Sequence, residues 1–190
     1  MRSRIIEWST ERLKLRQWRK SDRDPFAQMN ADRRVMEYFP TLLDRDASDA
    51  LADWIETKIH EQGWGLWAVE LRQTQSFIGF VGLNRPAIVF PFSPCVEVGW
   101  RLAFPYWGKG YASEAAREAL RIGFEVLDFD EIVSFTSIHN QRSRAVMERL
   151  KMRQMPETFL HPKLPPDHPL AEHCLYKQRR SEFTALRAVE

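Results

Sequence analysis

YWGKGYASEAAREAL, residues 106–120, is the stretch from which the rest of the chain is best read. Gly108 and Gly110 bracket Lys109, and Ala112 follows just where the pattern becomes helical. The first N–H groups of a helix have no partner inside it. They lie at the positive end of its dipole, where a phosphate fits. Glycine removes the Cβ that would hold a phosphate away, and it accepts positive φ. Lys109 adds a positive charge and Ser113 a hydroxyl in the first turn. The run reads as a pyrophosphate cradle built mainly of backbone. The plainer alternative is a strand-to-helix turn whose glycines serve only chain reversal. A Walker loop does not fit, since its Gly, four residues, then Gly-Lys-Ser/Thr order is missing. A dinucleotide fingerprint lacks its third glycine, where Ser113 stands. Asp128 and Asp130 lie near the distance of a ribose-binding acid, but the run sits mid-chain rather than opening a doubly wound sheet.

Outward from the turn, Ala112, Ala115, Ala116, Ala119 and Gly123 repeat at helical spacing. That small-residue stripe lets a helix over residues 110–127 press closely on a sheet, with Leu120, Phe124 and Leu127 extending the buried side. Upstream, the alternation of Leu13 and Leu15 in ERLKLRQW predicts a half-buried strand. Residues 20–40 predict one or two short helices ending at Pro40. An amphipathic helix follows, with Leu51, Trp54, Ile55 and Ile59 on its apolar face and Gly63 as its stop. Trp64, Trp67 and Trp100 are read with Trp54 as core. WGLWAVEL and SFIGFVGLN form a hairpin across RQTQ. A proline-broken connection leads from there to the strand CVEVGWRLAF. Beyond the central helix come the strand EIVSFTSI, the helix NQRSRAVMERL, and a closing strand pair, RQMPETFL and EHCLYKQ. Residues 179–190 read as a frayed tail. The expected class is α/β or α+β with a mixed sheet: one domain over residues 1–178, then the tail.

With 44% hydrophobic and 28% charged residues in 190, the chain has the composition of a globular protein with a real core. A net charge of +2 calls for neither a nucleic-acid nor a membrane partner. Cys95 and Cys174 lack metal-ligand spacing and read as reduced thiols of a cytoplasmic protein. No signal peptide or membrane span is expected. His161, His168 and His173 fall across a Pro-rich loop and a strand, so no metal is expected there. His139 either lines a site or ends a strand, and Tyr176 either reaches a site or packs.

Taken in order, VEVGWRL, YWGKGYASEA and EIVSFTSIHNQRSRAVMERLKM resemble the GCN5-related N-acetyltransferase (GNAT) superfamily, in particular its ribosomal-protein N-terminal acetyltransferase branch. TERLKLRQW, FIGFVGL and HCLY share that resemblance, which spans nearly the whole chain. It implies a central sheet, largely antiparallel, with one splayed strand and flanking helices. It also implies acetyl-CoA as cosubstrate and no metal. The partners it implies are acetyl-CoA and an amine acceptor, either a peptide N-terminus or a small molecule. No membrane and no direct nucleic-acid contact are implied, and a homodimer is compatible with it. The family loop, Gln/Arg-x-x-Gly-x-Gly/Ala, falls on Trp107, Gly110 and Ala112, with Gly108, Lys109, Tyr111 and Ser113 in or beside it. Trp107 departs from the family's polar residue, so only the backbone part of the cradle carries over. Trp100, Arg101 and Leu102 match the splayed stretch that pairs with the pantetheine arm. Asn140 matches the residue facing that arm. Many relatives have a tyrosine acid seven places after this Asn; Met147 stands there instead. The ribosomal branch has a serine three places after it, which Ser143 matches.

The implied chemistry moves an acetyl group from a thioester to an amine. A base must first deprotonate the amine. The tetrahedral oxyanion then needs a fixed N–H donor, which the strand near Val98–Trp100 would offer. The departing thiolate gains from a proton donor. Glu97, set in the apolar run CVEVGW, is the candidate base, acting through a water, and desolvation would raise its pKa. Alternation puts Glu97, Gly99 and Arg101 on one strand face, so a cross-strand salt bridge or a solvent-facing Glu97 remains open. Ser143 is the candidate donor to sulfur, or else a first-turn serine that satisfies helix N–H groups. A non-catalytic acyl-CoA-binding module and an RNA-associated protein are the competing functional classes.

Overall fold

The computed structural model describes residues 4–187. Strand β1 (Trp8–Ser9) pairs antiparallel with β2 (Leu13–Arg16). Leu13 and Leu15 are fully buried, as their alternation predicts. Arg16 is buried as well, against expectation for a charged neighbour. Its guanidinium meets Asp22 at 2.7 Å and Glu70 at 2.7 Å, so a local ion cluster replaces the water it loses. Helix α1 (Arg23–Ala31) follows, and then a loop through residues 32–43.

Helix α2 (Arg45–Gln62) begins at Asp44, whose carboxylate accepts the N–H of Ala47 at 2.8 Å. It ends at Gly63 in a left-handed cap. Its buried face is Ser48, Ala52, Ile55 and Ile59. Trp54 corrects the expected face: it sits one position off that stripe and is 39% exposed.

The hairpin β3 (Leu66–Leu71) and β4 (Phe77–Asn84) forms across the polar turn, and β5 (Glu97–Leu102) pairs antiparallel with β4. Helix α3 (Tyr111–Arg121) crosses over to β6 (Glu131–Ser137), passing into a π-helical turn at Ile122–Val126. The small-residue stripe is buried against the sheet: Ala115, Ala116 and Ala119 are inaccessible. A Cβ added at Gly123 would stand 2.5 Å from Ile132 Cδ1, so a larger residue here requires the Ile132 side chain to shift.

Helix α4 (Gln141–Arg149) and the antiparallel pair β7 (Arg153–Leu160) and β8 (Glu172–Arg179) complete the sheet, in the order β1-β2-β3-β4-β5-β6-β8-β7. One pairing is parallel, β5 with β6. Of residues 179–190, expected to fray, Arg179 ends β8 and Arg180–Arg187 form helix α5, while 188–190 lie outside the described residues. Phe183 is 6% exposed and packs on Phe124 with ring centroids 5.2 Å apart. Arg180 adds hydrogen bonds to the Phe129 carbonyl and Asp130. No described helix is long and apolar enough to cross a membrane.

Candidate active site

The site begins where two strands part. β5 and β6 share one registered pair, Glu97 with Val133, and the Val133 N–H reaches Val96 O at 2.8 Å. On the opposite edge, β5 stays paired with β4 from Glu97 to Leu102. Val96 points its carbonyl toward β6, whereas the Ala103 N–H points back to Ile78 O. Peptide groups alternate along a strand. The backbone polar groups of Val98, Trp100 and Leu102 therefore face the gap. The Leu102 carbonyl is taken by the Trp107 indole N–H at 2.7 Å, which pins the turn that follows.

That turn carries Gly108 at φ +71° and Gly110 at φ +80°, both left-handed. Gly110 is the N-cap of α3, and its side-chain-free surface leaves the first-turn N–H groups uncovered. A Cβ at Gly108 would meet nothing within 4 Å, so the outer side of the turn is open. The N-terminal strands brace it from behind. Arg12 donates to the Lys109 carbonyl at 3.0 Å and to Glu114 at 2.6 Å, and the Thr10 hydroxyl donates to Glu114 at 2.5 Å. These bonds draw the carboxylate in the first turn of α3 back toward β2.

A cavity of about 1200 Å³ occupies the gap. Its wall includes Glu97, Ser143 and Asn140 together with the Trp100–Leu102 strand and the glycine turn. Of the residues expected there, only Lys109 is missing from the wall; it is exposed, with Nζ 5.8 Å from the Tyr106 ring centre. Asn140 caps α4. Its Oδ1 accepts the Ser143 N–H at 3.1 Å, and its Nδ2 donates to Thr136 at 3.0 Å. Capping thus falls to Asn140, and the Ser143 hydroxyl makes no hydrogen bond among the described residues.

Glu97 has no cationic partner among the described residues. Its cross-strand neighbour is Asn84, and that neutral amide is its hydrogen-bond partner. Desolvation pushes the carboxyl up to about 7, against the lowering effect of Asn84. A Cβ at Gly99 would lie 3.7 Å from Glu97 Oε1, which sets the carboxyl on the face shared with Gly99 and Arg101.

Other features resolve simply. Tyr176 is 1% exposed, bonded to Gln154 at 3.0 Å, and packs away from the cavity. His139 is exposed, in the turn that follows β6. His161 and His173 lie on the cavity wall, ring centroids 5.0 Å apart, and burial lowers both pKa values. His168 stays in its loop, and no metal-binding group of three or more His, Cys, Asp or Glu occurs among the described residues.

Sequence reading missed Asn84, Phe135, Thr136 and Arg142. Asn84 closes a strand like any polar residue, and only register places it against Glu97. Arg142 lies 4.9 Å from the Trp107 ring centre and ion-pairs with Glu37 of the α1–α2 loop, linking two walls far apart in sequence.

Residues 12–153 match the family described as the acetyltransferase (GNAT) domain, three quarters of the chain. The chain belongs to the GNAT acetyltransferase family. The Bacillus subtilis protein YkkB is 31% identical over 146 residues, covering 75% of this chain and 83% of YkkB. The crystal structure of a GNAT acetyltransferase from Bacillus anthracis shares the fold with a TM-score of 0.76 at 24% identity, covering 93% of this chain and all of that one. A ribosomal-protein-S5-alanine acetyltransferase from Vibrio fischeri shares it with a TM-score of 0.71 at 18% identity, covering 94% and 98%.

As a GNAT acetyltransferase, the protein is an acetyl-CoA-dependent N-acyltransferase. The cavity suits that cosubstrate on its own evidence. It offers an open turn with positive φ at a helix start for a diphosphate, and unpaired strand amides beside the gap for a pantetheine arm.

Proposed function

We propose that this GNAT enzyme acetylates a primary amine, of a protein N-terminus or a small molecule, by direct attack in a ternary complex with Glu97 as base. The observation that carries the reading is a carboxyl poised near neutrality at the point where β5 and β6 separate. A base is most effective when its pKa lies near the working pH.

Acetyl-CoA supplies an activated thioester to the gap. Glu97 takes the proton released from the ammonium form of the acceptor, through a water. The Trp100 N–H, facing the gap, holds the carbonyl oxygen as negative charge develops there. The Ser143 hydroxyl donates to sulfur as the carbon–sulfur bond breaks and its electron pair leaves with the thiol. Gly108, Gly110, Tyr111, Ala112 and Ser113 hold the diphosphate through backbone N–H groups and the helix dipole. Lys109 adds charge from the rim. Trp100 and Leu102 hold the arm through their gap-facing backbone, the Arg101 backbone being paired with β4 instead, and Asn140 orients the α4 end of the arm.

The test combines binding and turnover. Acetyl-CoA at a hundredfold over its Kd is expected to stabilise the fold by about 2.7 kcal/mol, read as a rise in Tm. Thiol release with a panel of amines and peptides then reports transfer. Binding without turnover on any acceptor would make the protein a CoA-binding module instead.

A further inference from the structure

Beside α1 and the α1–α2 loop, Arg101 is a cation with no anionic partner among the described residues. It shares the strand face of Glu97 and Gly99 and lines the same cavity. Its Nη1 donates to Asn30 Oδ1 at 2.7 Å, its Nε is buried with no hydrogen-bond partner, and Nη2 makes no hydrogen bond among the described residues. The head is nonetheless held in place. Phe39 stacks on it, with Cζ 4.1 Å from the ring centre, and Phe80 lies 5.4 Å away. Asn30 is inaccessible to solvent, and its own Nδ2 is fixed by Ser48 at 2.9 Å, so its oxygen stays turned to the guanidinium. Burial lowers the pKa of Arg101 to about 10, which leaves it charged at neutral pH, and no carboxylate offsets that burial.

A desolvated cation is normally paired, and Arg is the side chain best suited to gripping a carboxylate. The cavity wall also carries Arg149 and Lys163, besides Arg34 and Arg142, which are ion-paired with Asp32 and Glu37, against Glu97 as the one acid on that wall among the described residues. That balance disfavours a polyamine, which would need several acids, and favours an acceptor bearing a negative charge.

Resting on the transferase reading, we propose that the acceptor carries a carboxylate as well as its amine, and that Arg101 is the residue that recognises it. Glu97 and Arg101 stand four residues apart, about 13 Å along the strand, and their side chains share the face between. The carboxylate is therefore several bonds from the amine. It belongs either to a small ω-amino acid or to an acidic side chain near a peptide N-terminus.

Matched probes test this. δ-Aminovalerate is compared with its carboxamide, and a tripeptide with Asp in second place with its Asn counterpart. The wild-type enzyme is expected to prefer the carboxylate member of at least one pair by tenfold or more in kcat/KM, mostly through KM. The pair that responds identifies the source. Arg101→Gln should bring the ratio close to one, and Arg101→Lys should keep part of it, with acetyl-CoA thermal stabilisation as the check on folding. No carboxylate preference in either wild-type pair, or a preference that survives Arg101→Gln, overturns the proposal. Calorimetric titration of the same probes in the presence of CoA gives a second readout. If none of these probes turns over, carboxylate-selective binding that depends on Arg101 still decides this inference, and the wider panel of amines and peptides decides the transferase reading separately.

Discussion

At the scale of single residues, Glu97 is held between two opposed effects. Desolvation raises its pKa to about 7, and the hydrogen bond from Asn84 restrains the rise. Glu97→Gln should lower kcat by about 10²-fold or more with acetyl-CoA affinity retained, as kcat and titration would show. Wild-type kcat/KM should climb through about pH 7 and level off above it, since the base must be ionised. Asn84→Ala removes a bond that favours the ionised form and should move that limb to higher pH. Burial lowers His161 and His173, so their titration falls on the acid side of the limb. The same shift has a stability sign. The folded state holds the Glu97 proton more tightly than the unfolded state, whose pKa is near 4.5. Stability from this group is full below about 4.5 and is lost as pH rises through about 7. Denaturant melts should therefore show Glu97→Gln gaining on wild type across that window. The run CVEVGW marks Glu97 as an acid among apolar neighbours, and so as one open to desolvation. Nothing in that run names Asn84, because a cross-strand partner is fixed by register.

At the scale of elements, the glycine turn works because three segments converge on it. Gly110 caps α3 with φ +80°, and an added Cβ would come 3.4 Å from Arg12 Nη2. Gly110→Ala should cost about 1–2 kcal/mol for the left-handed backbone alone. It should also weaken acetyl-CoA binding, measured by urea melts and by titration. The turn, its glycines and the helix after it were legible in sequence, because positive φ and helical periodicity are local demands. The brace of Arg12 and Thr10 on Glu114 was not, since it joins residues about a hundred positions apart. Trp54 shows the opposite limit. Apolar spacing identified α2 correctly, but the width of its buried face depends on what packs there, and the stripe through Ala52, Ile55 and Ile59 leaves Trp54 outside.

At the scale of the whole molecule, the last helix ties the chain end to the π-helical turn after α3 through Phe183 and Phe124. Phe183→Ala should cost about 3 kcal/mol, seen as a lower denaturation midpoint. Phe183 is remote from the cavity wall, so the loss should appear in stability and not in KM for acetyl-CoA. A polar, charged segment with one aromatic gives little sign of such docking, which is why it reads as a tail. The sequence by itself determined the order of elements as far as β8, the glycine turn that opens α3 and an acid placed in an apolar strand, because periodicity, capping and glycine conformation act over a few residues. Only the tertiary structure decided where β5 leaves β6, that Asn84 rather than a cation meets Glu97, and that Arg101 lies half-buried with no anionic partner among the described residues. Those are relations between segments distant in sequence, and strand register and packing bring them together.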